Sequence, residues 1–124
     1  MIPKSFFDKV VRAAMIFFLP ACAGVLGGEL GPSRGEPHLW DKALHFTAYF
    51  VLSALAVAAL RARRPALWAM LGLIAMGGAL EILQGLIGRD MSVYDEVANT
   101  LGVVAGAVTV WIVRAVLVRF RPAD

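Results

Sequence analysis

Polar residues recur at helical spacing inside a stretch of the sequence that is otherwise apolar. Asp41, His45, Tyr49 and Ser53 follow one another at four-residue intervals, which places them on one face of a helix. An aspartate one turn from a histidine orients the imidazole ring, so Asp41 and His45 are candidates for acid–base chemistry. The alternative is a helix start at a membrane surface, where Asp41 caps the helix and His45 bonds a neighbour. Packing and interhelical hydrogen bonds explain Tyr49 and Ser53 better than chemistry does.

A second polar pair, Glu81 and Gln84, lies three residues apart on one face of a later apolar stretch. Glu81 is expected roughly 9 Å inside the end of that helix, at about 1.5 Å per residue. A carboxyl group at that depth is expected to be paired or protonated. Arg89 is its expected partner, with Lys42 or His45 next, and a purely structural clasp between Glu81 and Arg89 is the alternative.

A third group of polar residues leads into the last apolar stretch. Four residues share one helical face there, at intervals of four, three and four: Asp95, Asn99, Gly102 and Gly106. The two glycines allow another helix to approach closely, and Asn99 is expected to make an interhelical hydrogen bond. Ser92-x-x-Asp95 fits a capping pattern, which predicts that Ser92 caps the helix. Glu96 points to another face and is expected to be solvated.

The elements that carry these residues are predicted to be membrane helices. The chain has 124 residues, of which 60% are hydrophobic and 17% charged, and its mean hydropathy is +0.74. A soluble domain has roughly 45–50% apolar and about 25% charged residues. Apolar stretches over about 10–27, 43–60, 65–87 and 97–118 approach the ~20 residues that a membrane helix needs. They predict an all-α, four-transmembrane-helix bundle in a single domain, 1–124.

The connections between these helices are predicted from glycine, proline and arginine. Glycines and prolines over 24–37 predict a flexible outer loop. The short link Arg61–Arg64 predicts that the second and third helices form an antiparallel hairpin. The chain is too short for a transporter with two large repeats unless it forms a homo-oligomer.

The distribution of charge predicts the orientation in the membrane. One side collects nine basic residues: Lys4, Lys9, Arg12, Arg61, Arg63, Arg64, Arg114, Arg119 and Arg121. The other side has three: Arg34, Lys42 and Arg89. This positive-inside bias predicts cytoplasmic N- and C-termini, and Trp68, Trp111 (inner) and Trp40 (outer) fit an aromatic belt. Since the basic residues flank apolar stretches and form no patch, nucleic-acid binding is not expected.

The first apolar stretch has a second interpretation. Lys4–Arg12 followed by an apolar run and Leu19-Pro20-Ala21-Cys22-Ala23 resembles a cleavable signal peptide. Pro20 before the cleavage position, together with the lack of a soluble domain to export, favours a retained helix. Cys22 is the only cysteine, so neither a disulfide nor a thiolate metal site is expected.

The ordered motifs together resemble the VanZ-like family of bacterial membrane proteins. They are Asp41-Lys42-x-x-His45-Phe46-x-x-Tyr49, Glu81-x-x-Gln84 and Arg89-x-x-Ser92-x-x-Asp95-x-x-x-Asn99-x-x-Gly102, within residues 38–106. The Gln84–Arg89 spacing is about one residue shorter than the family pattern, and Gly88 replaces a common proline. The resemblance implies a multi-pass protein of the bacterial cytoplasmic (inner) membrane. It implies these functional positions: Asp41, Lys42, His45, Glu81, Gln84, Arg89, Asp95 and Asn99.

The resemblance and the residue chemistry together predict a cell-envelope protein, associated with glycopeptide resistance of the teicoplanin type. Lys42 and Arg89 would hold phosphate or carboxylate of a membrane lipid, a lipid-linked cell-wall precursor or polyprenyl phosphate. His45, Asp41 and Glu81 are the candidate catalytic residues, although catalysis itself stays open. Alternatives are a small proton-coupled transporter or channel subunit that uses Glu81, and a structural or assembly partner. One histidine with scattered carboxylates is weak evidence for a metal, so neither a metal nor a cofactor is predicted.

Overall fold

The computed structural model describes residues 2–32 and 38–120 and forms four α-helices over these ranges. They are α1 (Lys4–Leu30), α2 (His38–Ala59), α3 (Arg63–Leu86) and α4 (Val93–Val118). All four are long and apolar enough to cross a membrane. The prediction of an all-α protein with four helices long and apolar enough to span a membrane is therefore confirmed. Some residues used above lie outside the described ranges: Arg34, Arg121 and the remainder of 33–37.

The helices extend beyond the apolar stretches that predicted them. α1 continues to Leu30, so the prediction of a loop from residue 24 onwards is wrong for 24–30. α2 and α4 begin several residues earlier than predicted, which places Asp41, Lys42 and Asp95 inside helices. Hydropathy detects only the apolar part of a helix. Backbone groups near lipid need hydrogen bonds, so a helix continues through glycines and through polar ends.

α2 lies at the centre of the bundle, in contact with the other three helices. Its closest neighbour is α4, because two glycines of α4 lie directly on the α2 backbone. A Cβ atom on Gly102 would stand 2.3 Å from the Phe46 carbonyl oxygen, and one on Gly106 would stand 2.4 Å from that of Phe50. The close approach predicted from these two glycines is confirmed.

The buried interior follows from this contact. Tyr49, Leu52 and Val103 are fully enclosed, and Val57 with Ala107 continues the core towards the other end. Inside it, the Ser53 hydroxyl donates to the Val103 carbonyl oxygen at 2.7 Å. The expectation that Ser53 serves interhelical hydrogen bonding is thus confirmed.

One end of the bundle is basic and holds both ends of the described chain. The Ile2 backbone N–H donates to the Phe120 carbonyl oxygen at 3.2 Å. Arg114 of α4 donates to the carbonyl oxygens of Ala58 and Leu60, each at 2.9 Å, where α2 ends. The starts of α1 and α3 and the ends of α2 and α4 therefore share this end. The polar residues of the sequence motifs lie at the opposite end.

Candidate functional site

The polar end of the bundle contains a cavity of about 1050 Å³, enclosed by the end of α1, the start of α2 and the link between α3 and α4. Six of the eight predicted site residues line it: Asp41, Lys42, His45, Gln84, Arg89 and Asp95. The other two, Glu81 and Asn99, lie behind this lining and bond to it. The structure therefore brings residues from three separate sequence motifs to one place.

His45 is held by a hydrogen bond across the α2–α4 contact. Its Nδ1 lies 3.0 Å from the Asn99 Oδ1, and the Asn99 Nδ2 donates to the Glu96 carboxylate at 3.3 Å. Since Glu96 accepts from the amide nitrogen, the amide oxygen faces the ring, and Nδ1 carries the proton. The Nε2 lies 3.9 Å from the Asp41 Oδ1, which exceeds hydrogen-bond range. The interhelical bond predicted for Asn99 is confirmed.

Glu96 differs from its prediction. It was expected to be solvated, but its side chain is half-buried and accepts hydrogen bonds from Asn99 and Thr100. A Cβ atom on Gly77 of α3 would stand 2.6 Å from its Oε2. The side chain therefore fits under α3 because position 77 has no side chain of its own.

Lys42 and Asp95 form an ion pair between α2 and α4. The Lys42 Nζ lies 2.5 Å from the Asp95 Oδ1. The Asp95 side chain is only 7% exposed, whereas that of Lys42 is 30% exposed and reaches the cavity mouth. Each group neutralises the other, so Lys42 presents no net positive charge to a ligand in this arrangement.

Glu81 pairs with the backbone at the start of α4. Its Oε2 accepts a hydrogen bond from the Ser92 N–H at 3.0 Å, and the side chain is buried. Arg89, the partner predicted for Glu81, binds elsewhere, so that prediction is wrong. Ser92 occupies the position before α4, but its side chain makes no capping hydrogen bond within the described residues. The Glu81 carboxyl group thus satisfies a backbone N–H at the end where a helix favours negative charge.

Arg89 and Gln84 bind the end of α1. The Gln84 Nε2 donates to the Glu29 carbonyl oxygen at 2.8 Å, and the Arg89 guanidinium donates to the same oxygen and to that of Gly31 at 2.6 Å. These carbonyl groups lack helical partners because α1 ends there. A cation is favourable at such a helix end. Both side chains consequently hold main chain in place, beside the cavity that they line.

Glu29 is a site residue that sequence reasoning missed. It was assigned to an outer loop, yet its side chain is 9% exposed and its Oε1 lies 3.7 Å from the His45 Nδ1. Neither carboxyl oxygen accepts a hydrogen bond of good geometry from residues 2–32 or 38–120. The Tyr49 hydroxyl likewise makes no hydrogen bond of good geometry within these ranges. A helical reading of 22–29 would have found it. Cys22 and Val25 pack on the core, and Glu29 continues their face at the next turn.

The cavity also has an apolar side between α1 and α2. Its lining there consists of small and aliphatic residues: Ala21, Gly24, Val25 and Gly28 of α1, and Leu44, Ala48, Val51 and Leu52 of α2. A Cβ atom on Gly24 or Gly28 would meet no described atom within 4 Å. The face of α1 that carries these glycines is therefore open, although Val25 packs on the core, and the space joins the polar end to the flank of the bundle between α1 and α2.

The fold and the site define a multi-pass membrane protein with an amphipathic cavity at one end. Comparisons of the chain with protein-family profiles, curated proteins and solved structures give no match. The VanZ-like resemblance accordingly stays a prediction, carried by the motif residues alone.

Proposed function

We propose that this chain is a VanZ-like protein of the bacterial cytoplasmic membrane whose cavity binds a lipid with an anionic head group. One observation carries the proposal: a single cavity joins ionisable side chains at one end of the bundle to an apolar space between α1 and α2. The two parts suit the two parts of an amphiphile. A volume of about 1050 Å³ is slightly above the ~300–1,000 Å³ typical of ligand pockets.

The orientation that we propose follows from charge. The end that holds Arg61 and Arg114 is basic, and basic ends face the cytoplasm in membrane proteins. The cavity then opens on the outer side of the membrane. Lipids with phosphate at that surface include polyprenyl phosphate and lipid-linked cell-wall precursors. A protein that sequesters or modifies such a precursor would alter the target of glycopeptide antibiotics, which is the route to teicoplanin-type resistance that we propose.

His45 is the residue best suited to acid–base work on the bound head group. Among residues 2–32 and 38–120, none bonds its Nε2 at the usual hydrogen-bond distance, and its ring is oriented by Asn99. Asp41 lies beside Nε2, and Glu81 supports the α4 start from behind. The bond from Ser92 to Glu81 favours a structural role for that carboxyl group over a transport step. An enzyme should lose turnover in His45→Ala while the protein keeps its fold.

Native mass spectrometry of gently extracted protein tests lipid binding. Gly24→Phe places a ring in the apolar side of the cavity, whereas Gly27→Phe places the same ring on the same helix outside the cavity lining. Both glycines have open space, so neither substitution should prevent folding. We expect a phosphate-bearing lipid on the wild type and on Gly27→Phe, and its loss from Gly24→Phe. Equal lipid retention by both variants would contradict the proposal.

A further inference from the structure

We propose that the polar end of the cavity is a divalent-cation site with Asp41, His45 and Asp95 as its protein ligands. Each of these residues offers one ligand atom, and the three atoms lie within 4.8 Å of one another. Ligands at about 2.1 Å from a shared ion in tetrahedral geometry stand about 3.4 Å apart, so side-chain rotations that close these separations by up to about 1.4 Å complete the site. Two carboxylates and one imidazole suit Mn²⁺ or Zn²⁺.

The imidazole is already prepared for coordination. Metal-bound histidines donate their second ring N–H to a carbonyl or carboxylate group, which fixes the tautomer and the ring plane. The His45 Nδ1 makes this bond to the Asn99 carbonyl oxygen at 3.0 Å, and Glu96 in turn holds the amide. The Nε2 lone pair consequently points towards Asp41. Asn99 and Glu96 act as positioning residues.

An independent observation is a buried carboxyl group beside the same ligands. The Glu29 carboxyl group lines the cavity, is 9% exposed, and accepts no hydrogen bond of good geometry from the described residues. It lies 3.7 Å from the His45 ring. Burial of a carboxylate without a partner is costly, and a bound cation nearby removes that cost. Arg89 does not supply a positive charge to the Glu29 carboxyl group, because its guanidinium bonds to carbonyl oxygens at the end of α1.

Lys42 forms an ion pair with Asp95, one of the three proposed ligands. Its ammonium group lies 2.5 Å from the Asp95 Oδ1 and is tethered by a long, partly exposed side chain. A divalent ion that binds Asp95 must displace this ammonium, which then turns to the cavity mouth. Lys42 and the ion therefore compete for Asp95. Removal of the lysine charge should strengthen ion binding. Diffuse attraction of cations to the acidic cluster would show the same gain without any dependence on His45.

The ion also explains how an acidic cavity binds an anionic head group. Divalent ions held by one or two carboxylates commonly complete their coordination with substrate phosphate. This part of the inference rests on the proposed function, whereas the ion site itself does not. The two are separated by testing Mn²⁺ alone and then testing lipid retention with and without the ion.

Titration of purified protein with Mn²⁺ tests the site. The electron paramagnetic resonance signal of the free ion is the readout. We expect one ion per chain for the wild type, at least tenfold weaker binding for Asp95→Asn and His45→Ala, and tighter binding for Lys42→Gln. Asp90→Asn is the matched control, because Asp90 lines the cavity but is not among the three ligands. It should bind as the wild type does. Equal weakening by Asp90→Asn and Asp95→Asn would overturn the proposal, since it means diffuse charge attraction only.

Electron spin echo measurements of bound Mn²⁺ keep the proposal testable if a variant fails to fold. The wild type should show coupling to a directly bound imidazole nitrogen, and Lys42→Gln should keep it. Bound Mn²⁺ without nitrogen coupling in the wild type would overturn the assignment of His45. Removal of the ion with a chelator should also release the lipid seen by native mass spectrometry. Ion binding in protein that never carries lipid would refute the proposed function and leave the ion site standing.

Discussion

Gly102→Ala is predicted to weaken both the bundle and the site, because α4 touches the α2 backbone at this position. The added Cβ atom would lie 2.3 Å from the Phe46 carbonyl oxygen, whereas ordinary contact begins near 3.4 Å. The two helices must therefore separate locally by about 1.1 Å, the difference between these distances. Phe46 follows His45 in α2, and Asn99 lies one turn before Gly102 in α4. The same displacement would lengthen their 3.0 Å bond to about 4 Å, beyond hydrogen-bond range.

The expected loss of stability combines three effects. Overpacking of a filled interface costs about 1–3 kcal/mol. Loss of the hydrogen bond between His45 and Asn99 costs about 1 kcal/mol. Replacement of glycine by alanine inside a helix returns about 1 kcal/mol. The net destabilisation is therefore about 1–3 kcal/mol, which lowers the melting temperature by several degrees.

Thermal unfolding in detergent, monitored by circular dichroism, measures this loss of stability. Gly72→Ala is the matched control, since a Cβ atom at this helical position in α3 meets no described atom within 4 Å. It should melt at the wild-type temperature or slightly above. If Gly102→Ala is as stable as Gly72→Ala, α4 does not lie on the α2 backbone, and the reasoning is refuted.

Three further predictions concern the two ends of the bundle. Arg89→Ala should accelerate hydrogen exchange at the end of α1, because the Gly31 carbonyl oxygen loses the guanidinium donor and that of Glu29 keeps only Gln84; unchanged exchange would contradict the assigned contact. Arg114→Ala should lower the melting temperature by an amount equivalent to about 1–3 kcal/mol, since two interhelical hydrogen bonds disappear, while Arg114→Lys should restore part of it. In a Cys22→Ser background, an impermeant thiol reagent should label Asp90→Cys in whole cells and leave Arg63→Cys unlabelled; the reverse pattern would invert the proposed orientation.

The number of helices and the pairing of chain ends were predictable because they follow from bulk properties. Apolar stretches of the length of a membrane require helices, and the arginines at one end distinguish the two sides. A close helix approach at α4 was predictable too, since Gly102 and Gly106 lie on one face with Asn99, although the pattern does not name α2 as the partner. These features depend on period and composition within one segment, which a sequence displays directly.

The partners of the charged residues were not predictable, because they depend on three-dimensional approach. Arg89 was paired with Glu81 by proximity in sequence, but the unsatisfied carbonyl groups at the end of α1 attract it more effectively. Glu29 was assigned to a loop because glycines surround it, and a membrane environment keeps such a segment helical. The three candidate ion ligands come from two helices, and only the α2–α4 contact brings their atoms together.

Photo-crosslinking tests the central claim, that one cavity at the polar end holds a lipid between α1 and α2. The protein is reconstituted with a phosphate-bearing lipid that carries a diazirine in its chain, irradiated, digested, and analysed for adducts by tandem mass spectrometry. We expect adducts concentrated on the cavity lining, at positions such as Val25, Ala48 and Val51. An even distribution that includes exposed residues such as Ile16 and Ile112, which lie outside the cavity, would contradict the account.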